Sequence, residues 1–376
     1  MVSGASSRRS ARAVDDDGAD AGGAHLQWAT VDELPWLADT LAQTLARQKG
    51  HAVMVHADAG IGALEFAFAL AQGWLCEAAD AAARPCGTCV SCRLTLAQTH
   101  PDLMLRLPQS LALQHGVAVE YDDKRKPSRQ IRVVEMRAAL DWSVTTSGRG
   151  RGKVLLIHPA ETMNLVAASA LLKTLEEPPA GMRIVLTTAD PGLLLPTVMS
   201  RCQRLVLPRP GRDEAARWLD GRSVADPQVL LDATGGRPLT AWRWHTAGLD
   251  ARHWAAIPAA VAAGETAVFA DWPVRQVVEA LQKLAHDAAR RACGAEPRFF
   301  PAASLPAGAD LAALGRWHQS LQEVMRHADH PWSEALLVEA LVGEGAQAWQ
   351  RERGAAQPGR ARERVDTLAP RPSAAR

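Results

Sequence analysis

The stretch that decides the fold is Ala52-Val-Met-Val-His-Ala-Asp-Ala-Gly-Ile-Gly62, in the first quarter of the chain. Its first five residues form a short apolar run, which indicates a buried β-strand. Two glycines then mark a tight turn, and apolar residues continue at helical spacing through Trp74. The stretch therefore predicts a strand, a glycine-bearing turn and a helix in succession, as in α/β proteins.

Further runs between residues 27 and 207 have the character of strands. They are the alternating Leu103, Leu105 and Leu107, the bare apolar run 154–157, the β-branched run 183–188, and residues 203–207. An Ala- and Leu-rich segment at 164–175 predicts a helix, which Pro178 and Pro179 end. Strands that alternate with helices predict a parallel, doubly wound sheet.

The glycine-bearing turn has the frame of a phosphate-binding loop without its functional side chains. In the motif G-x-x-x-x-G-K-[S/T], backbone N–H groups hold phosphates, Lys reaches the outer ones, and Ser or Thr holds Mg²⁺. Gly60 and Gly62 keep the turn tight, but Ala57 replaces the first Gly, Ala63 the Lys and Leu64 the Ser or Thr. We therefore expect this chain to bind no ATP.

A second motif points the same way. In an active nucleotide hydrolase, the strand at 154–157 is followed by Asp-Glu, which holds Mg²⁺ and polarises the attacking water. His158-Pro159 stands there instead. An alternative is that His158 is a base of another kind, although the loop leaves no phosphate site for it to serve. We expect a fold without intrinsic ATPase activity.

The cysteines are clustered rather than scattered. Four of the six, Cys76, Cys86, Cys89 and Cys92, follow the spacing C-x9-C-x2-C-x2-C, which supplies the ligand set of a closed tetrahedral zinc site. Two alternatives are an iron–sulfur cluster, whose fourth Cys usually lies further downstream, and four buried thiols without a ligand. We expect structural zinc, and we interpret Cys202 and Cys293 as ordinary buried thiols.

Length and charge limit the remaining possibilities. A chain of 376 residues predicts two or three domains, and its net charge of +1 gives the whole molecule no electrostatic footprint for nucleic acid. Apolar runs fall short of the ~20 residues that span a bilayer, and residues 1–24 do not resemble a signal or transit peptide. We expect cytoplasmic localisation, with disordered tails at 1–24 and 351–376.

Beyond Pro208-Arg-Pro210 the pattern is helical only. We predict a small helical lid domain at 208–250 and an all-α collar domain at 251–350, which serves oligomerisation. The collar is predicted from three sets of apolar residues at helical spacing. These are Val277, Val278, Leu281, Leu284 and Ala288, then Leu311, Leu314, Trp317, Leu321 and Val324, then Leu336, Leu337, Ala340 and Leu341. Residues 108–129 are interpreted as an insertion, with a possible extra strand at 116–121.

Several motifs together resemble one known family. The runs Leu171-Leu-Lys-Thr-Leu-Glu-Glu-Pro-Pro179, Leu186-Thr-Thr-Ala-Asp190 and Ser200-Arg-Cys202 are similar to the core of AAA+ subunits of bacterial DNA sliding-clamp loaders. Cys86-Gly-Thr-Cys-Val-Ser-Cys92, with His100-Pro-Asp102 after it, resembles the zinc module of that family. The resemblance implies a RecA-like AAA+ domain at 25–207, with the zinc module at 74–94.

The resemblance also implies partners and a role. The catalytic relatives, the gamma/tau subunits, carry an intact phosphate loop and Asp-Glu, which this chain lacks. The expected protein is therefore a non-hydrolysing subunit of a hetero-pentamer with gamma/tau and delta subunits. It would help to open the sliding clamp and load it on primed DNA.

Within that family the Arg of Ser-Arg-Cys reaches a neighbour's ATP site, so the resemblance implies that Arg201 is an arginine finger in trans, with Ser200 and Cys202 as motif neighbours. A finger stabilises γ-phosphate charge through its planar guanidinium. The alternative is that Arg201 pairs with Glu176 or Glu177 of its own fold.

Two further functions remain as alternatives. One is an ATP-hydrolysing gamma/tau-like subunit, against which Ala63, Leu64 and His158 all count. The other is a zinc-knuckle protein that binds nucleic acid. The cluster from Cys86 to Cys92 is flanked by Arg84 and Arg93 but includes no aromatic residue to stack a base, which counts against this reading of the cysteines.

Overall fold

The structure, a computed structural model, describes residues 33–117, 119, 126–326 and 333–350. The predicted tails at 1–24 and 351–376 lie outside these residues. The chain forms two compact units, Met1–Trp254 and Ala255–Arg376. Within the described ranges, the helices are too short or too polar to cross a membrane.

The first unit is built on a parallel sheet, as predicted. Its strands are β1 (Ala52–His56), β2 (Leu103–Arg106), β3 (Lys153–Ile157), β4 (Met182–Thr188) and β5 (Gln203–Val206). They lie in the order β2-β3-β4-β1-β5, and each neighbouring pair is parallel. Every residue of β3 is buried, which explains the apolar run 154–157, and the buried ammonium of Lys153 donates to the carbonyl of Trp142.

Helices cover both faces of this sheet. Those that precede or follow its strands are α1 (Pro35–Arg47), α2 (Ala63–Leu75), α3 (Val90–Leu96), α4 (Gln109–Gln114), α5 (Val133–Ser143), α6 (Leu165–Glu176) and α7 (Pro196–Met199). α5 and α6 share an apolar cluster with Met54, Leu155 and Ile184. Val53 and Val55, which alternate with Met54 along β1 and so lie on the other face of the sheet, are also buried. Helix α2 packs on β1, β3 and β4. The doubly wound arrangement is confirmed.

Three helices complete the first unit after the sheet. They are α8 (Arg212–Asp220), α9 (Pro227–Thr234) and α10 (Pro238–Thr246), with the glycine break at 235–236 between the last two. Trp218 of α8 makes edge contacts with Trp36 of α1 and Trp242 of α10, with ring centroids 5.5 Å and 6.3 Å apart. The indole N–H of Trp218 also donates to the carbonyl of Glu33. Aromatic contacts therefore hold α8 and α10 on α1.

The rest of the described chain is helical, as predicted. Its helices are α11 (Ala251–Ala263), α12 (Val274–Ala292), α13 (Leu311–Arg326) and α14 (Glu334–Gln347). All five residues predicted for the face of α12 are buried. On α13, Leu314, Trp317 and Leu321 are buried, whereas Leu311 is 51% exposed.

The predicted face of α14 is wrong in part. Leu336 is 66% exposed and Ala340 is exposed, while Leu341 and Val342 are buried. A Cβ on Gly345 would lie 2.5 Å from the Trp317 ring, so α14 approaches α13 through this glycine. The contact surface is therefore set by a close approach between helices rather than by the first apolar residues of α14.

A buried carboxylate organises the loop that follows α12. Asp287 is fully buried, and its oxygens accept hydrogen bonds from the backbone N–H groups of Arg298, Phe299 and Phe300 at 2.6–2.9 Å. His286 lies 2.9 Å from the same carboxylate. These bonds satisfy a charge that would otherwise be costly to bury.

The possible strand at 116–121 needs correction at its start. Residues 108–129 open with helix α4, which the sequence analysis did not predict; Gly116 lies in a turn and Val117 is in no strand. The backbone N–H of Val117 donates to the carbonyl of Ala112, closing the end of the helix. The remainder of the possible strand, apart from Val119, lies outside the described residues.

Candidate functional site

The degenerate phosphate loop joins β1 to α2 at the carboxyl edge of the sheet. Gly60 and Gly62 have φ values of +84° and +111°, which only glycine adopts without strain. Gly62 directly precedes α2, so the turn and the helix N-terminus have the geometry that holds phosphates elsewhere. The backbone frame predicted from the sequence is therefore present.

Side chains from two other segments pack against the glycines of this loop. A Cβ on Gly62 would lie 2.7 Å from Leu34 and 2.9 Å from Leu37, and one on Gly60 would collide with the hydroxyl of Thr240. Two backbone carbonyls of the turn accept hydrogen bonds from these segments. The N–H of Leu239 donates to the carbonyl of Gly60 at 3.1 Å, and the indole N–H of Trp36 donates to the carbonyl of Ile61 at 2.9 Å. Helices α1 and α10 thus clamp the loop through packing and hydrogen bonds.

The two motif positions at the start of α2 are apolar and partly or fully buried. Leu64, at the Ser/Thr position, is 4% exposed, and Ala63, at the Lys position, is half-buried. Ala57, where the motif begins, is 4% exposed, and its N–H donates to the carbonyl of Thr188 at 3.1 Å. These residues offer no cation to a phosphate and no oxygen to Mg²⁺.

His158 follows β3, at the position of the missing acidic motif. Its Nδ1 lies 2.5 Å from the hydroxyl of Thr187. Burial, with the nearby charges of His115 and Arg243, lowers the pKa of His158 to about 3. A general base works best when its pKa lies near the operating pH, so this imidazole is poorly suited to activate water. The alternative role for His158 loses support.

The four clustered cysteines come together at the end of α2 and the start of α3. Their Sγ atoms all lie within 4.8 Å of one another, with Cys76 and Cys89 3.9 Å apart and Cys86 and Cys92 4.0 Å apart. A tetrahedral zinc with four bonds of ~2.3 Å places sulfurs ~3.8 Å apart, whereas a disulfide needs ~2.05 Å. The geometry fits one tetrahedral ion and excludes disulfide bonds.

Backbone N–H groups point at the sulfurs. Cys89 N donates to Cys86 Sγ, Cys92 N to Cys89 Sγ and Cys86 N to Cys76 Sγ, each at 3.4 Å. These bonds favour thiolates, and the pKa of Cys86 is lowered to about 6, chiefly by the Cys89 N–H. Burial raises the pKa of Cys92, so a cation is needed to hold a thiolate there. The donor set suits zinc.

Arg201 lies between α7 and β5, half-buried. Its Nε donates to Glu176 Oε1 at 2.8 Å, and a second nitrogen forms an ion pair with the same oxygen. Nη1 donates to the carbonyl of Thr197 at 2.9 Å. The pairing with Glu176 that the sequence analysis weighed as an alternative is therefore present in the isolated chain.

The neighbours of Arg201 in its motif have structural contacts. Ser200 Oγ donates to the carbonyl of Thr197 at 3.1 Å. Cys202 packs against the apolar cluster of α5 and α6, and burial raises its thiol pKa to about 12. The interpretation of Cys202 as a buried thiol is right only in part, because this residue is half-buried, and for Cys293 it is wrong, because that residue is exposed.

Comparisons with known proteins now bear on this site. The family described as "DNA polymerase III, delta subunit" matches residues 35–211. Over these residues the chain is similar to that family. The matched region contains the phosphate loop, the cysteine cluster, His158 and Arg201, so the similarity covers every candidate site residue.

Individual relatives agree with this delta-subunit family. The chain is 37% identical over 224 residues to DNA polymerase III subunit delta' of Pseudomonas aeruginosa, covering 58% of this chain and 63% of that protein. It is 34% identical over 214 residues to the subunit of the same name from Haemophilus influenzae, covering 55% and 60%. The chain thus spans less than two thirds of these relatives.

One similar solved structure is a DNA polymerase III gamma subunit-related protein from Thermotoga maritima. The two chains are 15% identical, and the superposition covers 83% of this chain and 99% of the Thermotoga chain, with a TM-score of 0.45.

Sequence reasoning missed the polar residues around the four clustered cysteines. Glu77, Ser91 and Arg149 are hydrogen-bonded to one another. The sequence signal was limited to the adjacency of Glu77 to Cys76 and of Ser91 to Cys92, because Arg149 is distant along the chain.

Proposed function

We propose that this chain acts as a non-hydrolysing delta-prime subunit of a DNA polymerase III clamp loader, helping to open the sliding clamp and load it on primed DNA. One observation carries the proposal. A region similar to the DNA polymerase III delta-subunit family keeps the backbone of a phosphate loop but places Ala63 and Leu64 at its Lys and Ser/Thr positions. Such a chain retains the fold of a nucleotide-dependent subunit without its chemistry.

The packing of the loop supports the absence of nucleotide binding. Leu34 and Leu37 pack against Gly62, Thr240 packs against Gly60, and no basic side chain stands at the Lys position. A phosphate would need free N–H groups and a nearby cation to offset its charge. We expect the chemistry of the complex to take place in the neighbouring gamma/tau subunits.

Arg201 is our candidate for the contribution of this chain to a neighbour's ATP site. Its guanidinium is 32% exposed and its partner Glu176 is 50% exposed, so the ion pair faces solvent and is weak. Exchange of Glu176 for a γ-phosphate replaces one anionic partner with a more highly charged one. The half-exposed pair is thus compatible with a finger that is held in place until the neighbour binds ATP.

The cysteine site is proposed to be structural. Cys76 and Cys92 are fully buried and all four ligand positions are thiols, which fits a closed site with no open position for substrate. When zinc is bound, it supplies a fixed crosslink between the end of α2 and the start of α3. We propose no contact of this site with nucleic acid.

The domain roles follow from the same proposal. Residues 25–207 form the AAA+ domain, 208–250 the lid, and 251–350 the collar that joins gamma/tau and delta subunits in a hetero-pentamer. Sliding clamp and primed DNA are reached through that complex. Such a subunit works in the cytoplasm, associated with the nucleoid through the replisome.

Assembly tests the proposal directly. The full chain is mixed with gamma/tau and delta subunits, with and without ATP, and separated by size-exclusion chromatography. We expect a ternary complex with this chain at defined stoichiometry. Failure to enter the complex would reject the clamp-loader function and favour an unrelated scaffold.

Calorimetry separates the alternatives. Titration of the isolated chain with ATP and Mg²⁺ should release no binding heat, and titration with single-stranded DNA should also be silent. Micromolar ATP binding with turnover would favour a gamma/tau-like ATPase. DNA binding that is lost on chelation of zinc would favour the zinc-knuckle alternative.

A further inference from the structure

A polar network begins beside the cysteine site. Glu77 follows Cys76, and Ser91 precedes Cys92, so each is covalently attached to one side of the cluster. Ser91 is fully buried, and its hydroxyl donates to Glu77 Oε1 at 3.0 Å. The spacing of two cysteines therefore determines whether this hydrogen bond forms.

His100 extends the network toward the sheet. Its Nδ1 accepts the backbone N–H of Asp102 at 3.0 Å, so in the neutral ring the proton lies on Nε2. Nε2 then donates to Ser91 Oγ, which is 3.0 Å away. His100 is 4% exposed, and burial lowers its pKa, which favours the neutral ring. The tautomer is thus set by the backbone just before β2.

The network ends on the loop between α5 and β3, residues 147–152, here called the 147–152 loop. Arg149 Nε donates to Glu77 Oε1 at 2.6 Å and lies 3.1 Å from Ser91 Oγ. Buried Asp102 accepts the N–H groups of Gly148 and Arg149 at 2.7 Å and 2.9 Å. One loop is therefore held at two points, by Glu77 beside the cysteines and by Asp102 beside the sheet.

Ser91 is the junction of this arrangement. Its single hydroxyl proton goes to Glu77, and its oxygen receives the donors of His100 and Arg149. A hydroxyl has one donor and two acceptor positions, so all three are used. Buried networks in which every group is satisfied hold their members in one arrangement, and networks with a missing member do so poorly.

We propose that the four-cysteine site controls the order of the 147–152 loop through the Ser91–Glu77–Arg149 network. The inference rests on the proposed metal site. A bound ion draws Cys76 and Cys92 together and so brings Glu77 to Ser91. Without it, the thiolates repel one another, Glu77 loses its position, and Arg149 loses the partner that closes the loop.

Hydrogen exchange on the full chain tests this coupling, with zinc content measured in the same samples. The zinc-loaded protein is compared with protein treated with a chelator. We expect amides of the 147–152 loop to exchange about tenfold faster after chelation, the change expected for the loss of one or two hydrogen bonds. Amides of β4, which pair within the central sheet, should keep their rates.

Two variants locate the effect in the network. The zinc-loaded Ser91→Ala protein should retain its metal but show faster exchange in the 147–152 loop. Arg149→Gln should have the same effect, and because Arg149 is half-exposed, this substitution should not impair folding. Ser143→Ala is the matched control, because it removes a hydroxyl that is equally buried and that bonds within α5, to the carbonyl of Leu140. The control should leave the loop unchanged.

Each other outcome overturns the proposal. Zinc that binds at equivalence while its removal leaves loop exchange unaltered would reject the coupling and leave the metal site intact. Protein that takes up no zinc would reject both. Equal acceleration by Ser143→Ala and Ser91→Ala would indicate general loosening rather than a specific network.

Discussion

Replacement of Arg201 by alanine separates two roles of this side chain. In the isolated chain the change removes an ion pair with Glu176 and a hydrogen bond to the carbonyl of Thr197. Because both charged groups reach solvent, the pair contributes ~0.2–1 kcal/mol, and the hydrogen bond adds about 1 kcal/mol. At roughly 2–4 °C per kcal/mol, the thermal midpoint should fall by only a few degrees.

The effect in the assembled loader should be much larger. A single arginine finger is worth ~10³ or more in rate at the site that it serves. Only one of several ATP sites would lose its finger, so clamp- and DNA-stimulated ATPase should fall partially, and clamp loading should fall with it. Arg201→Lys should not restore either activity, because an ammonium lacks the planar fork of the guanidinium.

Glu176→Gln is the matched control, because it breaks the same ion pair and leaves Arg201 in place. It should lower the thermal midpoint by less than Arg201→Ala does, because the hydrogen bond to Thr197 remains, and it should leave loader ATPase close to normal. If Glu176→Gln and Arg201→Ala reduce loading equally, Arg201 acts through its own fold. If the Arg201→Ala loader is fully active, the finger assignment is wrong.

Three other perturbations test the remaining sites. Metal analysis should find about one zinc per chain, and Cys89→Ser should lose it while partner assembly persists; a stoichiometric iron signal would contradict the site. The double variant Ala63→Lys with Leu64→Thr should still hydrolyse no ATP in a phosphate-release assay and should melt earlier, since a buried Leu is lost; turnover would refute this. Asp287→Ala should lower the free energy of unfolding by about 3 kcal/mol in urea denaturation, because three backbone N–H groups lose a charged acceptor; a loss under about 1 kcal/mol would contradict this.

The strands were predictable because each is short, contains apolar or β-branched residues and is bounded by turn residues. β3 is buried on both faces, so residues 154–157 are all apolar, and the cysteine spacing likewise specified a compact cluster. In both cases, residues close together in the sequence are sufficient to define the structure.

The failures involve contacts between distant residues. On α14 the buried face depends on Gly345 meeting Trp317, and a glycine gives no apolar signal in a periodic pattern. Helix α4 has six residues, fewer than two turns, so its period is not visible. The link from Glu77 to Arg149 joins segments 72 residues apart, and the position of Glu77 beside Cys76 does not indicate which distant residue it pairs with.

On the proposed function, the packing of the phosphate loop makes a return to nucleotide binding costly. Leu64 is buried, so a mutation toward Thr places a hydroxyl among apolar contacts and lowers stability before any ligand can compensate. A lysine at 63 alone would still lack the Ser or Thr that holds Mg²⁺ and the acidic residues after β3. Either substitution alone, at 63 or at 64, is therefore expected to be harmful or neutral, so nucleotide binding could return only through several changes together.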